Sequence, residues 1–481
     1  MSTKRRDFLK LGGLTGVSLI GAGLLGKATG AVPDLSPFEE AGAPGFNMCG
    51  YAAPKLEKVR VGFIGLGMRG PTHVYGFSHI EGVEIVGLCD IRPEKVKEME
   101  KQLAATPHKP ASYSGDANAW KKMCDRKDID LVVISTPWAL HVPMAVYAMK
   151  AGKHVAIEVP AAKTIDECWQ LVRTSESTKK HCMMMENCCY DFFELVTLNM
   201  ARQGYFGEVL HGEGAYLHDL LGLNFDKNGY YDMWRLRENY QRNGNLYATH
   251  GLGPVSQILN INRGDKMVTL SSTSTNDFSM AGKAKELAAK DPFYNEFVGK
   301  KYRGNMNVTN IRSQNGKTIT LYHDVSTERP YSRIHLVTGT KAYAVKYPDI
   351  KVSQGEKWLS ETELKELQEK YTPEIIKKVG DMAKKIGGHG GMDFMMQWHL
   401  IDCLRNGLPL TQDVYDAALW SAVSPLSEWS VAHNSNSIKV PDFTAGAWKI
   451  NAPVELHLEA GNTQVVAGAR LLSEEEKIGW V

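Results

Sequence analysis

The chain has 481 residues, of which 43% are hydrophobic and 23% are charged, with 56 Lys and Arg against 54 Asp and Glu. This length exceeds what one hydrophobic core usually supports, so we expect two domains with terminal extensions. The composition excludes a disordered protein, and the balanced charge argues against nucleic acid as a partner.

Residues 1–31 have the pattern of a twin-arginine export signal. Arg5 and Arg6 precede an apolar run from Leu11 to Gly26, which is too short and too rich in glycine for a stable transmembrane span. Small residues at 28–31 favour cleavage nearby, and the alternative is an uncleaved membrane anchor. We therefore expect export to the periplasm, no membrane span after removal of the signal, and an N-terminal extension over residues 32–57.

The eight cysteines show neither CxxC pairs nor regular spacing. Proteins that use this export route fold first in a reducing cytoplasm, so we expect neither disulfides nor a metal site. The adjacent Cys188 and Cys189 are expected to be small buried residues.

A dinucleotide-binding domain is predicted over residues 58–206. The β-rich run Val59 to Ile64 leads into the glycine-rich turn Gly65 to Gly70 and then into a helix. Gly65 permits the turn, Gly67 leaves space for a pyrophosphate, and Gly70 lets helix and strand approach. The helix N-terminus would stabilise the phosphates. The alternative is a glycine-rich turn that binds no ligand.

A second strand, Glu84 to Cys89, ends in Asp90, 20 residues past Gly70. An acidic group at this spacing accepts hydrogen bonds from the adenine ribose, which favours NAD over NADP. Arg92 keeps the alternative open, since a neighbouring arginine can accommodate a 2′-phosphate.

The βα alternation continues with three further predicted strands, Ile129 to Ser135, His154 to Ile157 and His181 to Met185. A helix is predicted at Val142 to Ala151. The strands are followed by the polar or kinked stretches Thr136 to His141, Glu158 to Pro160, and Glu186-Asn187. Ligands in open α/β sheets lie at the carboxyl ends of strands, so these loops are expected to surround the nicotinamide.

A second domain is predicted over residues 207–450, followed by an extension over 451–481. It begins with the strand-like segment Gly207 to Leu217, and Asn315-Gly316 predicts a two-residue hairpin turn between Val308 to Ser313 and Thr318 to His323. The charged stretch Ser360 to Lys385 is predicted to form exposed helices. Asp413 to Ala432 is predicted to be a helix that returns to the Rossmann domain.

The glycine turn, Asp90, the stretch Thr136 to His141 and the Glu-x-Pro at 158–160 are together similar to the Gfo/Idh/MocA oxidoreductases, over about residues 58–448. This resemblance implies an α/β Rossmann domain joined to an α+β domain with a largely antiparallel sheet. Those dehydrogenases normally carry a catalytic lysine where this chain has Val159. A plain alcohol dehydrogenase is therefore a poorer interpretation.

A narrower resemblance rests on Glu-Val-Pro, Tyr247 to Pro254, Trp234-Arg235, Arg329-Pro330-Tyr331 and the twin-arginine signal. This combination resembles glycoside hydrolase family 109, whose studied members are NAD-dependent α-N-acetylgalactosaminidases. It implies a glycan with terminal N-acetylhexosamine as substrate and a cycle of oxidation, elimination, addition and reduction without net redox change. The alternatives are an NAD(P)-dependent sugar oxidoreductase and a catalytically silent NAD-binding module.

His250 and Tyr331 are the predicted catalytic residues. His250 lies in a Gly-flanked loop, and imidazole, with a reference pKa of about 6.5, suits proton transfer. Tyr331 matches a family active-site tyrosine, and which of the two is the acid or the base is left open. The alternatives are a buried structural histidine and a core tyrosine.

The resemblance assigns substrate contacts to Tyr216, Arg235, Tyr247, Ala248, Thr249, His250 and Tyr331. His389 is added because it lies within a run of four glycines, where backbone can approach a ligand closely. Tyr216 and Arg235 could otherwise be structural. The predicted NAD contacts are Gly65, Gly67, Met68, Arg69, Gly70, Asp90, Trp138, Ala139, Leu140, His141, Glu158, Val159 and Asn187.

Overall fold

The computed structural model describes residues 45–455 and 461–466. The predicted export signal, residues 1–31, lies outside the described residues, as do parts of both predicted extensions. Within the described ranges, no helix is long and apolar enough to cross a membrane. The eight cysteines are free thiols, and seven of them are buried.

The first sheet is parallel and six-stranded, in the order β3-β2-β1-β4-β5-β6. Its strands are β1 (Val59–Ile64), β2 (Val83–Asp90), β3 (Ala111–Ser114), β4 (Leu131–Ile134), β5 (His154–Ile157) and β6 (Cys182–Met184). β4 and β5 are buried on both faces, which explains why they form continuous apolar runs in the sequence. The strand order reverses between β1 and β4, so a ligand crevice is expected at their carboxyl ends.

Six helices connect or follow these strands: α1 (Gly70–Ser78), α2 (Pro93–Leu103), α3 (Ala119–Cys124), α4 (His141–Lys150), α5 (Ile165–Thr178) and α6 (Phe192–Arg202). α5 begins with a capping box, in which the Thr164 hydroxyl accepts from the Glu167 amide and the Glu167 carboxylate accepts from the Thr164 amide. The Rossmann architecture predicted from the sequence is confirmed.

The second sheet is nine-stranded, in the order β14-β13-β12-β11-β7-β10-β9-β8-β15. Its strands are β7 (Val209–Leu217), β8 (Met267–Ser274), β9 (Asn307–Ser313), β10 (Thr318–Asp324), β11 (Leu336–Gly339), β12 (Tyr343–Val345), β13 (Lys351–Gln354), β14 (Lys357–Trp358) and β15 (Ile438–Lys439). β7 and β10 pair in parallel, and the other neighbours are antiparallel. The predicted largely antiparallel sheet is confirmed.

The β9–β10 hairpin has a three-residue loop, so the predicted two-residue turn is wrong. The Ser313 amide donates to the Lys317 carbonyl (2.9 Å), and the Gly316 amide donates to the Ser313 carbonyl (3.2 Å). Gly316, at φ +83°, takes the left-handed position that closes a three-residue loop. Asn315 and Gly316 are therefore only part of the loop.

Eight further helices pack around the second sheet or between the sheets: α7 (Leu221–Asn224), α8 (Trp234–Gln241), α9 (Thr249–Ile258), α10 (Met280–Ala288), α11 (Glu361–Tyr371), α12 (Glu374–Ile386), α13 (Met392–Asn406) and α14 (Val414–Ala432). α11 is exposed, as predicted. α12 is amphipathic: its charged residues are exposed, and it buries Ile375, Val379 and Ala383 on the other face, so it is exposed only in part.

α14 contacts both sheet layers. It packs against α5 and β6 on the Rossmann side and against β8 on the other side. The Asp413 carboxylate caps its first turn, and Arg263 pairs with Asp413 (2.8 Å) and Asp416 (2.6 Å) in the buried interior. This packing fixes the position of one sheet relative to the other. The domain bounds 58–206 and 207–450 stay predictions.

Candidate active site

A cavity of about 660 Å³ extends from the end of β2 to the start of α9. One end is formed by the carboxyl ends of parallel strands, and the other by β7, α8 and α9. Sixteen predicted site residues line it: Gly65, Gly67, Met68, Arg69, Asp90, Trp138, Leu140, His141, Glu158, Val159, Asn187, Tyr216, Arg235, Tyr247, His250 and His389.

Five predicted site residues are not among those that line the cavity: Gly70, Ala139, Ala248, Thr249 and Tyr331. Gly70 packs against the turn, and Ala248 and Thr249 are buried at the start of α9. The Tyr331 ring lies against the rings of His218 (4.9 Å between centroids) and Tyr216 (6.2 Å). Tyr331 therefore supports residues that do reach the cavity.

The glycine turn between β1 and α1 has no space for side chains at two positions. Gly65 has φ +91°, and a Cβ there would lie 2.5 Å from the Ser135 carbonyl oxygen. A Cβ on Gly70 would lie 2.0 Å from the Gly65 carbonyl oxygen. α1 has no side-chain cap at its N-terminus, so its first amides can bind phosphate oxygens. This geometry fits a pyrophosphate.

Asp90 joins the end of β2 to the glycine turn. One carboxylate oxygen accepts from the Leu66 amide (2.7 Å), and the other accepts from the Arg92 amide (2.9 Å) and Nε (3.2 Å). Glu98 and Asp116 line the same end of the cavity. Three carboxylates against one guanidinium suit free ribose hydroxyls better than a 2′-phosphate.

A buried ionic network lies next to the turn. Arg69 Nε lies 2.8 Å from Glu158 Oε1, and Arg69 Nη1 lies 3.0 Å from Asp393 Oδ2. His73 Nε2 also contacts Glu158 Oε1, at 2.7 Å. Burial raises the pKa of Glu158, but Arg69 and His73 outweigh it and hold that pKa below its usual range. Glu158 is therefore ionised at neutral pH, and its carboxylate is bound by Arg69 and His73.

The predicted residues His389 and Asn187 meet at the same carboxylate. His389 Nδ1 lies 2.9 Å from Asp393 Oδ2, and the Asn187 amide donates to Asp393 Oδ1. Asp393 was not predicted, because it is brought to the site by α13, far along the chain. Asp393 therefore holds three cavity residues, Arg69, Asn187 and His389, in one arrangement.

His141 is buried and connects the loops that follow β4 and β5. Its Nδ1 lies 2.9 Å from the Pro160 carbonyl oxygen and its Nε2 lies 2.8 Å from the Thr136 carbonyl oxygen. Nearby, Trp138 Nε1 donates to the Val159 carbonyl (3.1 Å). These side chains shape the cavity wall through backbone groups, so their polar atoms are already in use.

Arg235 is held by three aromatic rings. Its guanidinium carbon lies 4.6 Å from the ring centroid of Tyr247 and 5.3 Å from those of Trp138 and Tyr230. Nη1 donates to the Tyr230 hydroxyl (2.9 Å), and its main electrostatic partners are tyrosines rather than carboxylates. A preorganised guanidinium with remaining donors can bind sugar hydroxyls or an amide carbonyl.

His250 is paired with the buried Glu186. His250 Nδ1 lies 2.7 Å from Glu186 Oε1, which also accepts from the Cys188 amide (3.1 Å). Burial raises the pKa of Glu186, but His250 and the hydrogen bonds lower it further, so the net shift is downward. With Nδ1 bound to a carboxylate, Nε2 is the nitrogen left for substrate.

Glu186, Cys188 and His250 offer ligand atoms within 4.8 Å of one another. Nδ1 of His250 is already bound by Glu186, and burial raises the pKa of Cys188 well above its ordinary value. The structure therefore shows these three side chains as a hydrogen-bonded pair, His250 and Glu186, next to a protonated thiol.

His218 lines the cavity and was missed by the sequence reasoning. Its Nδ1 lies 3.2 Å from the Tyr216 hydroxyl. Burial and the charge of Arg235 lower the pKa of His218, and burial raises the pKa of Tyr216 to about 12. Strand alternation continued one residue past β7 was the available signal, because a residue two positions after the predicted Tyr216 faces the same side.

Two family profiles match the chain. "Glycosyl hydrolase 109, C-terminal domain" matches residues 190–450, and "Oxidoreductase family, NAD-binding Rossmann fold" matches residues 59–186. A "Glycosyl hydrolase family 109 protein 1" from Bacteroides thetaiotaomicron is 50% identical over 414 residues, which cover 82% of this chain and 86% of the relative. A "Glycosyl hydrolase family 109 protein" from Shewanella pealeana is 44% identical over 462 residues, covering 94% and 99%.

Solved structures show the same fold at low identity. An apo scyllo-inositol dehydrogenase from Lactobacillus casei matches with a TM-score of 0.57 at 14% identity, covering 80% of this chain and 99% of that one. An oxidoreductase from Agrobacterium radiobacter, in complex with NAD+, L-tartaric acid and magnesium, matches with a TM-score of 0.57 at 17% identity, covering 80% and 98%.

Proposed function

The chain belongs to glycosyl hydrolase family 109, and from that premise we propose that it removes terminal α-N-acetylgalactosamine from a glycan, using NAD that is regenerated in each cycle. The observation that carries the proposal is that one continuous cavity has a dinucleotide turn at one end and Arg235 and His250, with Glu186 bound behind it, at the other. A hydrolase without a redox step has no need for a dinucleotide-binding turn.

The residues at the nucleotide end fit NAD. The uncapped N-terminus of α1 and the side-chain-free Gly65 and Gly67 would hold the pyrophosphate, and Asp90 would accept hydrogen bonds from the adenine ribose. When bound, NAD supplies a hydride acceptor for C3 of the sugar and returns the hydride at the end of the cycle.

His250 is the proposed base. Once C3 carries a ketone, the C2 proton is acidic, and His250 removes it through Nε2 because Nδ1 is held by Glu186. The buried carboxylate stabilises the imidazolium that results. The C1–O bond then breaks by elimination, water adds to C1, and the proton returns to C2.

Arg235 is the proposed anchor for the sugar. Its guanidinium has donors beyond the one used by Tyr230, and the three rings around it prevent it from moving away. Hydrogen bonds from Arg235 to the acetamide carbonyl or to ring hydroxyls would orient the sugar toward His250.

Activity without added cofactor tests the function. Purified protein should release nitrophenol from nitrophenyl α-N-acetylgalactosaminide with no NAD supplied, and should produce no net NADH. Stoichiometric NADH from a free sugar would instead support an NAD(P)-dependent oxidoreductase. Heat stabilisation by NAD without any turnover would leave only a nucleotide-binding module.

Export to the periplasm through the twin-arginine route is part of the proposal. A cycle without net redox change suits a compartment that lacks an NAD pool, because a folded protein can carry its cofactor with it. Replacing Arg5 and Arg6 together by lysine should keep the protein in the cytoplasm at its precursor mass, as measured by fractionation and mass spectrometry. Unchanged localisation of this variant would contradict the export route.

A further inference from the structure

The elimination step leaves one proton donor unassigned. The departing glycosidic oxygen needs a proton unless its alcohol is unusually acidic, and His250 is occupied as the base that takes the proton from C2. On the premise of the proposed function, the structure indicates which group gives that proton.

Most other titratable groups that line the cavity are held by charged partners or lie at its far end, and both nitrogens of His141 lie on backbone carbonyls. His389 Nδ1 is bound to Asp393 at 2.9 Å, and Glu158 is bound to Arg69 and His73. Asp90, Glu98 and Asp116 line the nucleotide end. Tyr216 and Tyr247 both have a raised pKa, mainly because they are buried, so they are poor proton donors.

His218 differs from the other cavity histidines in its partners. Its Nδ1 contacts the uncharged Tyr216 hydroxyl (3.2 Å), and its ring packs on the edge of Tyr331 (4.9 Å between centroids). We propose that His218 is the acid that protonates the departing glycosidic oxygen. Tyr331 and Tyr216 hold its ring in position from two sides.

The surrounding charges make His218 a strong acid when it is protonated. Burial, Arg235, His250 and His389 all lower its pKa, and Asp219 opposes them only in part. A lowered pKa reduces the protonated fraction of His218 at neutral pH, but each imidazolium gives up its proton more readily to a weakly basic ether oxygen.

The proton balance closes over the cycle. As the electron pair left at C2 forms the C1–C2 double bond, the C1–O bond breaks and its oxygen takes a proton from the His218 imidazolium. Neutral His218 then accepts a proton from water while the water oxygen bonds to C1, and C2 recovers its proton from His250. Both histidines return to their starting states. Oxidation of the C3 hydroxyl, for which NAD would be the hydride acceptor, releases one proton, and reduction of the ketone takes one up, so these two steps cancel over the cycle.

Leaving-group dependence tests this role. In His218→Gln, hydrolysis of methyl α-N-acetylgalactosaminide should fall by about 10²–10⁴-fold, while hydrolysis of the nitrophenyl glycoside should fall by less than about 10-fold, because nitrophenolate leaves without a proton. Glutamine keeps a polar contact for Tyr216 but cannot transfer a proton. His211→Gln, on the strand β7 that ends just before His218 and away from the cavity, is the matched control and should retain both activities.

Two further measurements separate folding and function from this role. NAD content and melting temperature of His218→Gln should match wild type. In heavy water, His218→Gln should still place deuterium at C2 of recovered methyl glycoside, since oxidation and proton removal do not need His218. This result, together with the selective loss of methyl glycoside hydrolysis, would support the assignment.

Equal losses on both glycosides, or no loss on either, would overturn the role of His218 while wild type remains active. If wild type shows neither hydrolysis nor exchange at C2, the proposed function itself fails, and the inference fails with it. The wild-type arm therefore distinguishes the two failures.

Discussion

His250 Nδ1 lies 2.7 Å from Oε1 of Glu186, a carboxylate that is fully buried at the end of β6. His250 lines the cavity and Glu186 is buried behind it, whereas Val159, which also lines the cavity, has no group that can transfer a proton. The proposed function therefore assigns proton transfer to imidazole groups, and the orientation of His250 is set by Glu186.

Glu186→Gln tests that orientation. The amide keeps the shape but removes the charge that stabilises the imidazolium, and hydrogen bonds to charged groups contribute about 1.5–3 kcal/mol. We expect turnover to fall by roughly 10- to 100-fold, at about 1.36 kcal/mol per tenfold, with NAD content unchanged. Turnover equal to wild type would contradict a role for Glu186.

His250→Ala removes the proposed base itself. Turnover should fall by about 10²–10⁴-fold, the usual contribution of a general acid or base. NAD content, measured after denaturation, should not change, because His250 lies at the sugar end of the cavity. If the variant loses NAD as well, the residue supports the cofactor site rather than proton transfer.

Cofactor content tests the nucleotide end directly. Protein purified without added nucleotide should release NAD on denaturation, because the proposed cycle regenerates the cofactor and the charges near Asp90 disfavour a 2′-phosphate. Chromatography of the supernatant measures this. Recovery of NADP, or of no nucleotide from fully active protein, would count against the assignment of Asp90.

The glycine turn can be tested with a matched pair of variants. Gly65→Ala places a Cβ 2.5 Å from the Ser135 carbonyl oxygen, whereas Gly115, also at positive φ, has nothing within 4 Å of a Cβ. Gly115→Ala should cost only the left-handed backbone penalty of about 1–2 kcal/mol. Gly65→Ala should lower the melting temperature further and abolish NAD content. If Gly65→Ala and Gly115→Ala lower the melting temperature equally and both retain NAD, the turn has more space at Gly65 than the structure shows.

The ionic network predicts loss of stability in acid. Burial raises the pKa values of Glu158 and Asp393, but Arg69 and histidine partners lower them further, so both pKa values are below their usual range in the folded state. Their contribution to the free energy of unfolding is present at neutral pH and is lost as pH falls below about 4, the ordinary carboxyl range. Urea unfolding at a fixed NAD concentration measures this.

Asp393→Asn is the control for the acid prediction. It removes one of the titrating groups but keeps the side-chain shape, so its stability should depend less steeply on pH below about 4 than that of wild type. Equal slopes would mean that Asp393 does not contribute to acid unfolding.

The predicted strands of the Rossmann half agree with the structure to within two residues at each end, because the central strands are apolar on both faces. β3 and the helices α2, α3, α5 and α6 were not predicted. The hairpin loop at Gly316 was predicted one residue too short, since loop length depends on the pairing register of the strands. Glu186 was predicted only as part of a loop near the nicotinamide, and His218 and Asp393 were missed, because their roles depend on partners from distant parts of the chain. The resemblance supplied most of the cavity residues, whereas Tyr331 lies behind the lining residues.

Turnover in heavy water tests the central claim most directly. If C3 is oxidised and C2 is then deprotonated by His250, the released N-acetylgalactosamine should carry deuterium at C2, whereas a glycosidase that uses two carboxylates leaves C2 untouched. Mass spectrometry and proton NMR of the product locate the label. Hydrolysis without deuterium at C2, and without a primary isotope effect on substrate deuterated at C2, would contradict the mechanism.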